Sequence, residues 1–344
     1  MRTILAFSVL MLMFCVGCSH EVPKPERSTP LDDRTFMFED PNDGGPLVEE
    51  LVPRDSEELD LGVDEEPVPN VDEEPAPSVD AEPETTGIVS EVLGKYAAET
   101  VPLPPVEDLT AQVDAYITKI GESLESLEGS IKYTEDAADV VRDAHALALV
   151  ALALGLAEAD SQYKKPAAQI IAATKPLAAA KNFREGKKAY EALKASLTAP
   201  GEGSSLTWTD KVADLAPAMK AVPNLHAAVK RVTDAERKLN VVLGGARAQS
   251  VSSQLAALAV IAQGTIPNVA ETLKPEAVGE WKQHCEEFRD AALKTNIAVH
   301  QYTKDKADGK EPNYVTFSNS FKAMTESCDH CHTIFHPGAL GKNE

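Results

Sequence analysis

Near its C-terminus the chain reads Cys328-Asp329-His330-Cys331-His332, two thiols separated by two residues and followed at once by an imidazole. Thiols three apart on a helix lie on nearly the same face, roughly 5 Å apart, so both can form thioethers to the two vinyl groups on one edge of a porphyrin. His332 is turned by about 100° from Cys331 toward the ring centre, where a neutral imidazole nitrogen binds iron. The spacing therefore predicts covalent attachment of one haem c, with Cys328 and Cys331 as its carriers and His332 as an axial iron ligand. Three readings compete for the same residues. A thioredoxin-like dithiol uses C-x-x-C in a βαβ setting, a pattern absent around this one. A zinc site needs a third and a fourth ligand, for which His284 and Cys285 are available. The third reading is a chance occurrence of a short motif.

The segment that carries the motif places Phe317, Phe321, Met324, Cys328, Cys331 and Phe335 at 4-3-4-3-4 spacing and meets Pro337-Gly338, which predicts one amphipathic helix that stops there. Upstream of it, Val278, Trp281, Cys285, Phe288 and Ala292 share a face of a helix expected from Pro275 to about Gln301, preceded by another near Val251–Ala262. Val212, Leu215, Met219, Val222, Leu225, Val229 and Val232 form a further stripe, in which Pro217 and Pro223 are expected to kink or restart the helix. Before the break at Pro200-Gly201-Glu202-Gly203 lies a second set of four. Its first member carries the stripe from Val106 to Leu127, its second starts near Thr134, and the last two cover roughly Lys164–Lys181 and Phe183–Leu197. The uncharged run Ala146–Ala157 in the second member is too short for a membrane span and predicts a buried core helix. No strand signal appears after Pro105. The expected fold class is all-α: two tandem antiparallel four-helix bundles, a haem-free one over 106–200 and a haem-bearing one over 207–340.

The chain has 344 residues and a formal charge of −22, with 55 Asp and Glu against 33 Lys and Arg. Residues 21–100 hold 24 of the acids and five of the bases, a net of −19, so the acidity belongs to one segment. That segment, 18–105, is Pro/Glu-rich and lacks apolar periodicity, which predicts a disordered linker. It contains an eight-residue repeat, VDEEPVPN from Val63, VDEEPAPS from Val71 and VDAEPETT from Val79. Like charges and proline stiffness extend such a chain, making it a spacer or, alternatively, a docking strip for a basic partner. The overall charge argues against nucleic-acid binding, because phosphates repel it. Five cysteines are too few for a disulfide scaffold in a chain of this length.

The N-terminus, MRTILAFSVLMLMFCVGCSH, has one positive charge and an apolar run from Ile4 to Val16, the layout of a signal peptide over 1–17. Cys15-Val16-Gly17-Cys18 resembles the lipobox of bacterial lipoproteins, which implies acylation of Cys18 and a membrane anchor on the periplasmic side. Cys15 stands where that motif usually has Leu, and free secretion to the periplasm is the alternative. Export suits the haem motif, since haem c is attached outside the cytoplasm in bacteria that use it.

A C-x-x-C-H at the end of the last helix of a four-helix bundle resembles the cytochrome c′ family and its methionine-ligated low-spin relatives. Trp281 and Phe288 on the third helix and Phe335 after the haem histidine add to the likeness, which covers about residues 208–336. Residues 106–198 look like a degenerate copy without a haem motif. In the low-spin relatives a methionine on the first helix, often followed by lysine, binds iron opposite the histidine, and Met219-Lys220 matches that pair. The plain alternative is that Met219 is one more core residue on its stripe. His226 is a rarer candidate, while Met324 is expected to pack. The family's arginine after the aromatic residue is replaced here by His336, which bears on gas-ligand handling. Cys285 and Trp281 are expected to be core residues, and His145, His284 and His300 have no spacing that implies catalysis.

The resemblance and the motif together imply a membrane-anchored monohaem cytochrome that transfers electrons between redox protein partners. It would use His332 and Met219 as axial ligands, and the pairing common among bundles of that family implies a homodimer. A five-coordinate module that binds or senses nitric oxide or carbon monoxide is the alternative, and a structural docking protein is a third. No nucleophile with a base, and no paired acid and base, is visible, so no enzyme is expected.

Overall fold

The computed structural model describes residues 101–125, 127–201, 205–239 and 245–337. The expected signal peptide, the lipidation site Cys18 and the acidic linker up to residue 100 lie outside the described residues. The chain divides into two units, Met1–Ala76 and Pro77–Glu344, and all described residues belong to the second.

Among the described residues the structure is all-helical, without a strand. The helices are α1 (Val106–Glu125), α2 (Leu127–Leu156), α3 (Ala167–Ala178), α4 (Phe183–Ser196), α5 (Leu215–Leu239), α6 (Gly245–Gly264), α7 (Val278–Ala307) and α8 (Tyr314–Phe335), with a 3-10 segment at Ile266–Glu271 between α6 and α7. Two of them have a stretch that is apolar on every side and takes the centre. In α2, Ala144 and all of Ala146–Leu154 are at most 1% exposed, and α6 buries every residue from Leu255 to Gly264. A helix without a polar face must be surrounded. Accordingly α2 packs against α1, α3, α5 and α6, and α6 packs against α1, α2, α5 and α7. The two approach so closely at Gly264 that a Cβ there would lie 2.6 Å from Leu149 Cδ2. One hydrophobic core runs from Leu109 to Phe335, and Val101 and Leu103 pack on it ahead of α1.

A buried polar network crosses this core. The Asp108 carboxyl of α1, 1% exposed, accepts hydrogen bonds from Ser252 Oγ of α6 at 2.8 Å and from Asn296 Nδ2 of α7 at 2.8 Å. It also lies 2.7 Å from His300 Nε2 of α7.

Helix ends follow the local residues. Asn182 caps α4 by accepting from the Glu185 N–H at 3.1 Å, and Glu185 Oε2 accepts from the N–H of Lys181, one residue ahead of the cap, at 3.0 Å. Asn313 caps α8 through the Thr316 N–H at 3.1 Å. Several boundaries depart from expectation. The second helix starts at Leu127, before Thr134, α6 starts at Gly245, before Val251, α7 runs on to Ala307, past Gln301, and α5 does not restart at Pro223 but runs through it. Pro217 falls in the first turn of α5, where no intrahelical N–H is needed. Pro223 removes the one N–H that would have bonded the carbonyl of Met219, a local loss the remaining turns absorb.

Candidate functional site

Helix α8 lies along α7 and reaches α5 through side chains. Tyr314 Oη donates to the Thr233 carbonyl at 3.0 Å. His226 Nε2 lies 2.9 Å from Thr325 Oγ1, and the His226 ring stacks on Phe321 with centroids 4.9 Å apart. Beyond these contacts, toward the C-terminal end of α8, residues of α5, α7 and α8 line a cavity of about 560 Å³. From α8 it is lined by Cys328, Cys331, His332, Phe335 and His336. From α7 come Trp281, His284, Cys285 and Phe288, and from α5 Leu215, Met219, Lys220 and Pro223. Glu271, Thr272 and Leu273 complete the rim.

The cavity thus brings together Cys328, Cys331, His332 and Met219, from segments more than a hundred residues apart in sequence. It explains how burial varies along the α8 stripe. Phe317, Phe321, Met324 and Phe335 are buried, whereas Cys328 and Cys331 between them are only half-buried, because their face of the helix borders the cavity. Met324 is fully buried and does not reach the cavity, and neither does His226, whose ring is held by Thr325 and Phe321. Trp281 packs edge-on against Phe335, centroids 5.2 Å apart, and its Nε1–H donates to the carbonyls of Thr265 and Ile266. Two rings locked in this way give the cavity a rigid aromatic wall.

The electrostatics suit attachment better than thiol redox chemistry. Burial pushes the Cys328 thiol up to about 12, with Asp329 and Cys331 adding to the effect. It pushes Cys331 up to about 11, with Glu287 adding. Reactive dithiols need the opposite shift, so a thioredoxin-like role has no support in these surroundings. The buried Cys285 thiol is likewise pushed well up, by burial and then by Cys331. Burial also lowers the pKa of His332, helped by His336 and opposed by Asp329, which favours the neutral imidazole that binds metals. No hydrogen bond ties the His332 ring to another described residue; its ring neighbour is His336, 6.2 Å away between centroids.

Residues and cavity fit a covalently held haem: two thiols at thioether spacing, a neutral imidazole beside them, a thioether from α5 and mainly apolar walls within the size range of cofactor sites. The zinc alternative fares differently. His284 and Cys285 do line the same cavity as the two thiols. Among the described residues, however, the group of three donors close enough to share one ion is His284, Glu287 and His330, which contains no cysteine. Sequence reasoning missed this trio. His284 and Glu287 are one helical turn apart, a readable signal, but nothing in the sequence brings His330 to them. No helix among the described residues is long and apolar enough to cross a membrane. In comparisons with known proteins, no protein-family model matches the chain, and neither a curated protein nor a solved structure is significantly similar to it.

Proposed function

We propose that the chain is an exported monohaem c-type cytochrome, anchored through Cys18 on the periplasmic side of a bacterial membrane, that carries electrons between redox protein partners. The observation that carries this reading is the convergence of Cys328, Cys331, His332 and Met219 on one mainly apolar cavity. Haem c bonded there supplies one-electron redox chemistry. Cys328 and Cys331 would hold it, His332 would ligate iron through a neutral ring nitrogen, and Met219 would supply a second iron ligand. A thioether favours the ferrous state and closes the iron to small molecules, which suits electron transfer over gas binding. Trp281, Phe288 and Phe335 exclude water from the cavity, and Lys220 offers a positive charge at its rim. The residues over 106–200 are read as a haem-free bundle, and the acidic segment as a spacer between anchor and folded unit.

Haem staining of the denatured, exported protein tests the reading. The wild-type band stains, and the Cys328→Ala, Cys331→Ala double variant does not. A colourless wild-type protein refutes haem attachment. The second ligand is tested by spectroscopy: the ferric protein is low-spin and the ferrous protein takes up carbon monoxide slowly, whereas Met219→Ala becomes high-spin and binds it readily. A wild-type spectrum already high-spin and unchanged in Met219→Ala removes Met219 from the iron and favours the gas-binding alternative.

A further inference from the structure

His284 is a buried histidine with an unused nitrogen. Its residue is 5% exposed, and its Nδ1 makes no hydrogen bond although it lies in the interior. A buried polar atom without a partner carries a desolvation cost, so its surroundings ask for a ligand. What faces it is a Glu287 carboxylate oxygen, 3.3 Å away and one helical turn along α7. On the adjacent helix α8, the His330 ring meets the His284 ring at a centroid distance of 4.9 Å, edge to face. One donor atom from each of the three residues falls within 4.8 Å of the others. Glu287 and His330 are exposed and have room to rotate inward, while His284 is fixed by packing. Gln283 Nε2 donates to the other Glu287 oxygen at 2.8 Å, leaving Oε2 as the donor toward the histidines.

We propose that His284, Glu287 and His330 form a binding site for a divalent transition-metal ion, with Zn²⁺ as the best match. Two imidazoles and one carboxylate are borderline donors of the kind zinc prefers, and three protein ligands leave the fourth tetrahedral position to water. The site is independent of the thioether cysteines. It bridges α7 and α8, whose packing sets His284 against His330, and none of its three donors is a residue assigned to hold haem.

The test is calorimetric titration of Zn²⁺ into the full mature chain, untagged and stripped with chelator, together with zinc analysis after gel filtration. Wild type binds one Zn²⁺ per chain. The Glu287→Gln, His330→Gln double variant, which changes only exposed residues, loses at least tenfold in affinity while its circular dichroism is unchanged. The Cys328→Ala, Cys331→Ala variant retains binding. Absence of saturable binding in wild type, or equal affinity in the Glu287→Gln, His330→Gln variant, overturns the site. Binding abolished by removal of the two cysteines while the fold is kept overturns this inference, and a haem-stained wild-type protein indifferent to Zn²⁺ overturns this inference alone, whereas a colourless wild type that binds Zn²⁺ leaves it standing and refutes haem attachment.

Discussion

Replacing Asp108 by alanine removes a carboxyl group that joins α1 to α6 and α7 in the interior. Three contacts go with it: to Ser252 Oγ, Asn296 Nδ2 and His300 Nε2, at 2.8, 2.8 and 2.7 Å. None of the three partners is left wholly without support. Ser252 Oγ keeps the Gln249 carbonyl at 3.1 Å, Asn296 Nδ2 keeps the Ser252 carbonyl at 2.9 Å, and the His300 side chain, 42% exposed, meets water. The loss is therefore closer to one ordinary hydrogen bond per contact than to a fully stranded set of donors, about 3 kcal/mol in all. For a folded unit of this size that lowers Tm by roughly 6–12 °C. Asp108→Asn keeps the shape and one acceptor and loses about half as much. Thermal and urea unfolding followed by far-ultraviolet circular dichroism and by tryptophan fluorescence measures the change. Because the core is continuous, the whole transition moves in both signals. A shift below about 1 kcal/mol, or two separate transitions of which only one moves, refutes the claim that Asp108 ties the first helix to the later ones.

Two further outcomes follow from the titrating groups. In protein produced without its export signal, and hence without haem attachment, the raised pKa values of Cys328 and Cys331 make alkylation at pH 8 roughly a hundredfold slower than for free cysteine, with a steep rise above pH 10. Labelling at the free-cysteine rate contradicts the burial assigned to these thiols. His145 and His226 are both held below the ordinary histidine value, chiefly by burial, so at mildly acid pH the unfolded chain binds more protons than the folded one. Their contribution to stability is complete above the ordinary value and is lost as pH falls through it and then through the lower folded values. The urea midpoint is expected to drop between pH 7 and pH 5, less so in His226→Gln, and a flat or rising midpoint would contradict this.

Sequence periodicity made the helices legible where one face is apolar or where none is polar. The Ala146–Ala157 run announces a surrounded helix, and the 4-3-4-3-4 spacing from Phe317 to Phe335 puts the two thiols on a packed face of α8. The first two turns of α2 escaped because Leu127–Tyr133 has little apolar period of its own, its buried Tyr133 packing on Phe183 of α4. The proline at 223 suggested an interruption, but its ring is exposed, and a single missing bond does not break a helix whose other turns pack against α2 and α6. Long-range polar pairing was out of reach. Asp108 meets partners 144, 188 and 192 residues away, and burial and hydrogen bonding of such groups leave no local pattern. The same holds for His330 against His284.

The cavity and its chemistry have one structural origin. Side chains of α5 meet α8 at Tyr314, Phe321 and Thr325, whereas the next turns of α8 border a cavity whose far members come from the opposite end of α5, Leu215 to Pro223. Antiparallel neighbours that touch at one end and separate at the other leave a wedge, and the size of the side chains in that wedge decides whether it closes. On α8 the wedge positions are cysteines, smaller than the phenylalanines and methionine at the equivalent stripe positions before them. Trp281 and Phe335 brace the inner wall so that it cannot collapse onto them. Leucine at 328 and 331 would continue the stripe and let the helices close. Small thiols there fill less of the space than leucine would, and Met219 of α5 borders the same cavity.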